Sequence, residues 1–175
     1  VQSGGTGSDA LLGSVFGDSY LSGGNGNETL ISLFGNDFLS GGNGNDTLIA
    51  GSGADILDGG NGNDTLIAGS GNDELRGGAG SDTLFGGAGQ DTFLFRSGDG
   101  SDQIGDFQAT RRTRASVIQG DHINLDIDGI NNYNDLLAHA QQQNGGVLLD
   151  FGSGDQLFLS GTRLAALDKD SFTFF

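Results

Sequence analysis

Apolar side chains recur every nine residues along the first hundred positions of the chain. The sequence divides into nines without a gap from Ser14 to Leu94, and further units at 4–12 and 97–105 bring the total to eleven. The eighth place of every unit is apolar: Leu11, Leu21, Leu30, Leu39, Leu48, Leu57, Leu66, Leu75, Leu84, Phe93 and Ile104. One inward side chain per unit predicts short strands stacked around a thin core.

The other positions of the unit are mostly polar or glycine. Glycine fills the fourth place of every unit, and an acidic residue fills the sixth place of every unit except one, which has Ser19. Glycine adopts backbone angles that are closed to other residues, so the first six positions predict a tight turn and the last three a strand.

The units resemble the GGxGxDxUx nonapeptide of RTX proteins, a calcium-binding β-solenoid repeat. GGNGNDTLI stands at 41–49 and 59–67, and GGNGNETLI at 23–31. The resemblance implies an all-β fold, a parallel β-roll built as a right-handed β-solenoid, in which two nonapeptides form one coil and calcium lies between successive turns. We assign residues 1–106 to the roll and 107–175 to a mostly β C-terminal cap with one short helix.

Alternate units then lie on the same side, so the sixth-position residues form two columns. One column contains Asp9, Glu28, Asp46, Asp64, Asp82 and Asp102, and the other contains Ser19, Asp37, Asp55, Asp73 and Asp91. Stacked strands are about 4.8 Å apart, and two carboxylates at that distance repel by about 1 kcal/mol in water and about 3.5 kcal/mol at an effective dielectric near 20. Calcium takes oxygens at about 2.3–2.6 Å and fits between two turns, whereas magnesium requires about 2.1 Å and octahedral geometry.

We therefore predict about six calcium ions, centred on the acids from Asp46 to Asp91. The predicted metal residues are Asp9, Glu28, Asp37, Gly41, Asn43, Asp46, Asp55, Gly59, Asn61, Asp64, Asp73, Gly77, Ala79, Asp82, Gly86, Ala88, Asp91, Asp99, Asp102 and Asp106. Asp102 and Asp106 lie in GDGSDQIGDF, which resembles the exit of an RTX roll.

Composition narrows the class of protein. The net charge of −16 argues against nucleic acid as a partner, and the absence of cysteine excludes disulfides. No apolar run is long enough to span a membrane, and the first residues lack the pattern of a signal peptide. We expect a monomeric tail of a longer protein.

The segment after the roll has longer apolar runs. Residues 120–125 predict a strand, 131–146 an Asn-capped helix ended by glycine, and 147–159 a hairpin. The last residues predict a helical turn and a strand. An acidic residue followed by Phe172, Phe174 and Phe175 also resembles the ending of type I secretion signals.

No catalytic motif surrounds His122 or His139, so we interpret the chain as non-catalytic. The predicted function is an extracellular calcium-binding module that leaves the cell through type I secretion machinery, folds on calcium and stabilises an upstream domain. The alternative is an anionic polysaccharide module of the alginate type, using Arg111, Arg112 and Arg114. A third use, an ice-facing array that includes Asn43 and Asn45, covers few units.

Overall fold

A computed structural model describes residues 1–109, 111–112, 117–118 and 120–175. Its strands, numbered along the chain, alternate between two mainly parallel sheets. The first sheet contains, in spatial order, β1 (Gln2–Thr6), β3 (Tyr20–Asn25), β5 (Phe38–Asn43), β7 (Ile56–Asn61), β9 (Glu74–Ala79), β11 (Thr92–Arg96), β15 (His122–Asp126) and β19 (Phe172–Phe174). The second contains β2 (Ala10–Leu12), β4 (Thr29–Ile31), β6 (Thr47–Ser52), β8 (Thr65–Ser70), β10 (Thr83–Ala88), β12 (Ser101–Ile104), β18 (Asp155–Ser160), β17 (Gly146–Gly152) and β16 (Ala140–Gln143). A separate pair is formed by β13 (Arg111–Arg112) and β14 (Val117–Ile118).

The register confirms that two nonapeptides form one coil. Leu39 pairs with Leu57 in one sheet, and Leu48 pairs with Leu66 in the other, so equivalent residues are eighteen positions apart. This repeat of two units explains why the identical nonapeptides are separated by eighteen residues. The predicted parallel β-roll is confirmed.

The strands are longer than the pattern predicted. β5 and β7 continue past the ninth position of one unit through the third position of the next, and Gly42 still pairs with Gly60. In these coils only positions four to six form the turn, whereas β2 and β4 have the predicted three residues. Gly44 shows why the fourth position is glycine, because its φ is 117° and a Cβ there would collide with the carbonyl of Gly26 in the preceding coil.

The eighth-position side chains form the core. From Leu21 to Ile104 they are all buried, whereas Leu11 in the first coil is only partly buried. Aromatic side chains enlarge the core where the roll meets the C-terminal segment, with Phe93 against Phe107 and Phe107 against Phe172. The core is therefore continuous from the roll into the segment that follows it.

The C-terminal segment extends both sheets. In the first sheet β15 pairs in parallel with β11, and in the second β18 pairs in parallel with β12. The strand predicted at 120–125 and the hairpin predicted at 147–159 are both present. The segment thus covers the last core layer of the roll on both sides.

The predicted helix is shorter than the sequence indicated. Helix α1 spans Tyr133–Ala138, and the Asn132 side chain accepts from the N–H groups of Asn134 and Asp135, which confirms the Asn cap. The glutamines after it form β16 and pair with β17 instead of continuing the helix. Two 3₁₀ turns, Leu164–Ala166 and Lys169–Ser171, precede β19.

Candidate metal sites

The sixth-position acids form a ladder of side-chain to backbone hydrogen bonds. In the first column the N–H of Asp46 donates to Oδ1 of Asp64 over 2.7 Å, and the N–H of Asp64 donates to Oδ1 of Asp82 over 2.7 Å. The same contact joins Glu28 to Asp46 and Asp82 to Asp102. Each carboxylate is therefore positioned by the coil that precedes it.

The second column repeats the arrangement on the other side of the roll. The N–H groups of Asp37, Asp55 and Asp73 donate to Oδ1 of the acid one coil further on, at 2.8, 2.8 and 3.0 Å. The column begins at the serine: the N–H of Ser19 donates to Asp37, and its hydroxyl lies 3.3 Å from that of Ser32. A serine hydroxyl, paired with Ser32 of the second coil, thus replaces the carboxylate in the first coil.

The second oxygen of most of these carboxylates has no hydrogen-bond partner among the described residues. Within the two columns, ten buried carboxylate oxygens lack a hydrogen bond: Oδ2 of Asp9, Asp37, Asp46, Asp55, Asp64, Asp73, Asp82 and Asp91, and both side-chain oxygens of Glu28. A buried anionic oxygen without a partner is costly, and paired or metal-bound carboxylates are the usual state. The two columns therefore present rows of oxygen atoms that fit a cation.

The turns bring backbone oxygens to the same place. A Cβ built on Gly59 would meet Oδ2 of Asp64 and, at 2.5 Å, the carbonyl oxygen of Gly77 in the next coil. Gly41 has the same relationship with Asp46 and with the carbonyl of Gly59. Carboxylate and carbonyl oxygens from two coils thus converge at both of these glycines. This oxygen-only donor set is the one that calcium prefers.

Few carboxylates approach any one point. Among the described residues no three His, Cys, Asp or Glu side chains are grouped closely enough to hold a metal together. A cation between two coils would therefore take one or two carboxylate oxygens and complete its shell with backbone carbonyls.

Burial raises the pKa of several of these carboxyl groups. Burial raises the pKa of Asp64 to about 7. The hydrogen bond from the N–H of Asp46 acts against this shift, and the nearby charge of Asp82 adds to it. Burial likewise raises the pKa of Asp73 to about 6, that of Asp82 to about 6 and that of Asp102 to about 8. Without a cation, the fold disfavours the charged form of these groups.

The remaining predicted residues have varied surroundings. The Asn43 amide is exposed and donates to Asn25, while Asn61 donates to Asn43, so these side chains form an outer ladder. Asp99 is buried, accepts from the N–H of Arg96 and has Oδ1 3.7 Å from the Arg76 guanidinium. Both oxygens of Asp106 accept from the N–H groups of Gly86 and Gly87.

Four of the remaining predicted positions are glycine or alanine and contribute only backbone or small side chains. Gly77 and Gly86 lie beside Oδ2 of Asp82 and of Asp91, in the same relationship as Gly59 to Asp64. Ala79 and Ala88 end strands β9 and β10, where their coil partners are Asn61 and Ser70. Whether any of these positions binds a metal stays a prediction.

Comparison with known proteins identifies this arrangement. The model of the RTX calcium-binding nonapeptide repeat matches four copies, at residues 3–39, 22–57, 58–93 and 67–104. The chain belongs to this family. RTX repeats bind calcium, and the unpartnered oxygens lie in these repeats.

The solved structures that match include the extracellular lipase LipA from Serratia marcescens. The identity is 20% and the TM-score 0.49, and the match covers 94% of this chain and 40% of the lipase chain. The chain thus spans less than half the length of that protein. No curated protein matches it in sequence.

Sequence reasoning missed an acid that continues the RTX ladder beyond the repeats. The N–H of Asp91 donates to Oδ1 of Asp121 at 3.2 Å, and the N–H of His122 donates to the carbonyl of Asp91, as the N–H of Thr92 does to Asp73. Asp121 therefore occupies a sixth position without belonging to a nonapeptide. The only signal in the sequence was the acidic residue at the start of the strand predicted at 120–125.

The cap contributes a second missed acid, and the first column ends differently. Oδ1 of buried Asp155 accepts from the N–H groups of Gly98 and Gly100 in the last RTX unit. The residue paired with Asp102 in the next strand is Leu157, so no carboxylate continues that column. The second column thus continues into the cap through the carboxylate of Asp121, whereas the first column ends at Asp102 beside an apolar residue.

Two further sequence predictions have limited structural counterparts. Arg111 and Arg112 lie in β13, but Arg114 and the side chains of the whole basic stretch lie outside the described residues. Within the described part of the chain, no helix is long and apolar enough to cross a membrane.

Proposed function

We propose that this chain is a non-catalytic module that folds when calcium binds outside the cell and thereby aids secretion and stabilises an upstream domain of an exported protein. The ten unpartnered carboxylate oxygens in two regular columns carry this proposal. Burying these anionic oxygens without partners destabilises the folded chain, and a bound divalent cation would remove this cost. In the unfolded chain the same oxygens are solvated, so the cation stabilises the folded state selectively.

The acids of the central coils would hold the ions. Oδ2 of each sixth-position acid and the carbonyls of the facing turns would bind calcium, while Oδ1 stays bonded to the preceding coil. Bound calcium supplies positive charge that offsets the repulsion within each column. In the folded roll the backbone N–H ladder fixes the carboxylates, so the side chains become ordered in the same step in which calcium drives folding.

The expected energies are large enough for a switch. A site with Kd of about 10⁻⁴ M at 1 mM calcium contributes about 1.4 kcal/mol, and about six sites contribute about 8 kcal/mol. That sum is comparable with the stability of a whole domain. A chain that is unfolded where calcium is scarce and folded where it is abundant fits passage through a type I channel followed by folding outside.

Far-UV circular dichroism of the purified chain tests the proposal. We expect a disordered spectrum in excess chelator and a β spectrum in 1 mM calcium, with 1 mM magnesium giving no comparable change. A β spectrum of equal strength in chelator would rule out the calcium-dependent fold.

A matched pair of double variants ties the transition to the ladder. Asp55→Asn/Asp64→Asn changes buried rungs of both columns, whereas Asp126→Asn/Asp128→Asn removes two exposed charges outside them. Only the Asp55→Asn/Asp64→Asn variant should raise the calcium concentration at the folding midpoint. Equal midpoints for the two double variants would show that overall charge, not the ladder, controls folding. The polysaccharide alternative stays a prediction from the sequence.

A further inference from the structure

Four asparagines in this chain are followed directly by glycine. The pairs are Asn25–Gly26, Asn43–Gly44, Asn61–Gly62 and Asn144–Gly145. In a flexible chain this pair is prone to deamidation, because glycine has no side chain to hinder its nitrogen from approaching the asparagine Cγ. The first three pairs occupy positions three and four of a repeat, where the strand ends and the turn of positions four to six begins.

The roll holds the nucleophilic nitrogen of these three pairs in hydrogen bonds. Gly26 N–H donates to the carbonyl of Asn43, Gly44 N–H to that of Asn61, and Gly62 N–H to that of Ala79, each over 2.8 Å. A nitrogen held in this way must break its hydrogen bond to the next coil before it can attack the asparagine side chain.

The reacting side chains are held as well, although solvent reaches them. Asn43 donates its amide N–H to Asn25 over 2.7 Å, and Asn61 donates to Asn43 over 2.8 Å. All three asparagines are also strand residues in coil-to-coil register. Folding therefore restrains the glycine nitrogen and the asparagine Cγ of each pair, although the asparagine side chain stays exposed.

The fourth pair is built differently and offers an internal reference. Gln143 pairs with Gly146, so Asn144 and Gly145 form the exposed two-residue turn between β16 and β17. Asn144 is not a strand residue, and its turn lies outside the repeats.

We infer that Asn25, Asn43 and Asn61 deamidate in the unfolded chain and that folding of the roll slows this reaction. Calcium, by folding the roll, would therefore protect these three asparagines from deamidation. The inference rests on the proposed calcium-dependent folding. In the unfolded chain the glycine nitrogen attacks Cγ, the new N–C bond forms as the amide C–N bond breaks, and ammonia leaves with the proton from that nitrogen. Water then opens the resulting succinimide to aspartate or isoaspartate.

Either product damages the coil in which it forms. Aspartate at position 43 cannot donate to Asn25, and it adds negative charge to an acidic surface. Isoaspartate inserts a methylene into the backbone between residues that pair coil to coil. A chain that stays without calcium should therefore gradually lose the ability to fold when calcium is restored.

Peptide mapping by mass spectrometry tests the inference. The full chain is incubated at mildly alkaline pH in 1 mM calcium or in excess chelator, with circular dichroism recorded in parallel. Calcium should slow deamidation at the three repeat sites by at least about tenfold, since reaction then requires local opening, and change it at Asn144 by less than about threefold. If dichroism shows calcium-dependent folding but the repeat sites react equally fast in both samples, the inference is wrong and the proposed function stands. If dichroism does not respond to calcium, both are wrong.

A variant taken from the chain's own repeats tests the consequence. Ala79 and Ala88 occupy position three in two coils of the roll, so Asn25→Ala/Asn43→Ala/Asn61→Ala uses a residue that this position already accepts. After equal ageing in chelator, the natural chain should lose calcium-induced β signal in step with its deamidated fraction, and the variant should retain it. Equal losses in the two chains would overturn the inference.

Discussion

The N–H of Asp46 donates to Oδ1 of Asp64 in the next coil over 2.7 Å, while Oδ2 of Asp64 is buried and has no hydrogen-bond partner in the described part of the chain. One carboxylate thus supports its neighbour with one oxygen and presents the other to the space between coils. Because solenoid stability is carried by contacts between adjacent repeats, a change at a central rung affects the coils on both sides of it.

The first prediction concerns position along the ladder. Asp64→Asn removes the charge of a predicted ligand at the centre of the first column, and we expect the calcium concentration at the folding midpoint to rise about tenfold, equivalent to about 1.4 kcal/mol. Asp9→Asn, in the first coil, should shift the midpoint less. Calcium titrations followed by circular dichroism measure both; equal shifts would contradict a ladder in which neighbours cooperate.

The second prediction concerns the space at the first position of the turn. Gly59→Ala places a methyl group against Oδ2 of Asp64 and 2.5 Å from the carbonyl oxygen of Gly77, so these oxygens must move. Overpacking of this kind costs about 1–3 kcal/mol, and it should also weaken calcium binding.

The opposite column provides the control for this change. Position one there already contains Ala50 and Ala68, both fully buried. Ala68→Gly should lower the free energy of unfolding in saturating calcium by only about 0.5–1 kcal/mol. Chemical denaturation compares the two variants. An equal loss in both would mean that the crowding at Gly59 has no special consequence.

The third prediction concerns the joint between roll and cap. Asp121 accepts from the N–H of Asp91 with one oxygen and from the N–H of Gln108, over 2.7 Å, with the other. Asp121→Ala leaves two donors without this partner, at about 1–3 kcal/mol each where they are buried. We expect proteolysis in saturating calcium to begin in the C-terminal segment of this variant, whereas Asp128→Ala, at an exposed position, should be cut as slowly as the natural chain.

The sequence predicted the regular part of the molecule well, because its period is local. Each repeat specifies its own turn, its inward residue and its acid, and the resemblance to RTX repeats, with two nonapeptides in each coil, then implied the sheets and both columns. Asp121 was not recognised because thirty residues separate it from Asp91, and no fixed spacing marks it. Asp155 reaches the last turn from a hairpin, and sequence alone does not show which loop a hairpin touches.

The strand and helix boundaries were missed for a different reason. The glycines at positions one and two were interpreted as turn, yet parallel pairing with the adjacent coils keeps them in strands. The residues after Ala138 have good helix propensity, yet they pair with β17 at the edge of a sheet. In both cases contacts with distant residues outweigh local preference.

The last prediction concerns pH. Burial raises the pKa of Asp64 to about 7 and that of Asp102 to about 8, from an ordinary value of 3.8. Between about pH 4 and 8 the calcium-free roll therefore binds more protons than the unfolded chain does. Its stability without calcium falls as the pH rises through this window, because raised carboxyl pKa values favour the folded state only while these groups stay protonated.

Calcium binds the deprotonated carboxylates, so calcium affinity should rise with pH, whereas the stability of the calcium-free roll falls. Binding should release protons, and the calcium midpoint should be about tenfold lower at pH 8 than at pH 6. Calorimetric titration in two buffers of different ionisation enthalpy counts the released protons. Asp64→Asn and Asp102→Asn should each reduce that count near neutral pH, while Asp128→Asn should leave it unchanged. A midpoint that stays constant from pH 6 to 8 would mean that these two carboxyl groups are not among those that calcium deprotonates.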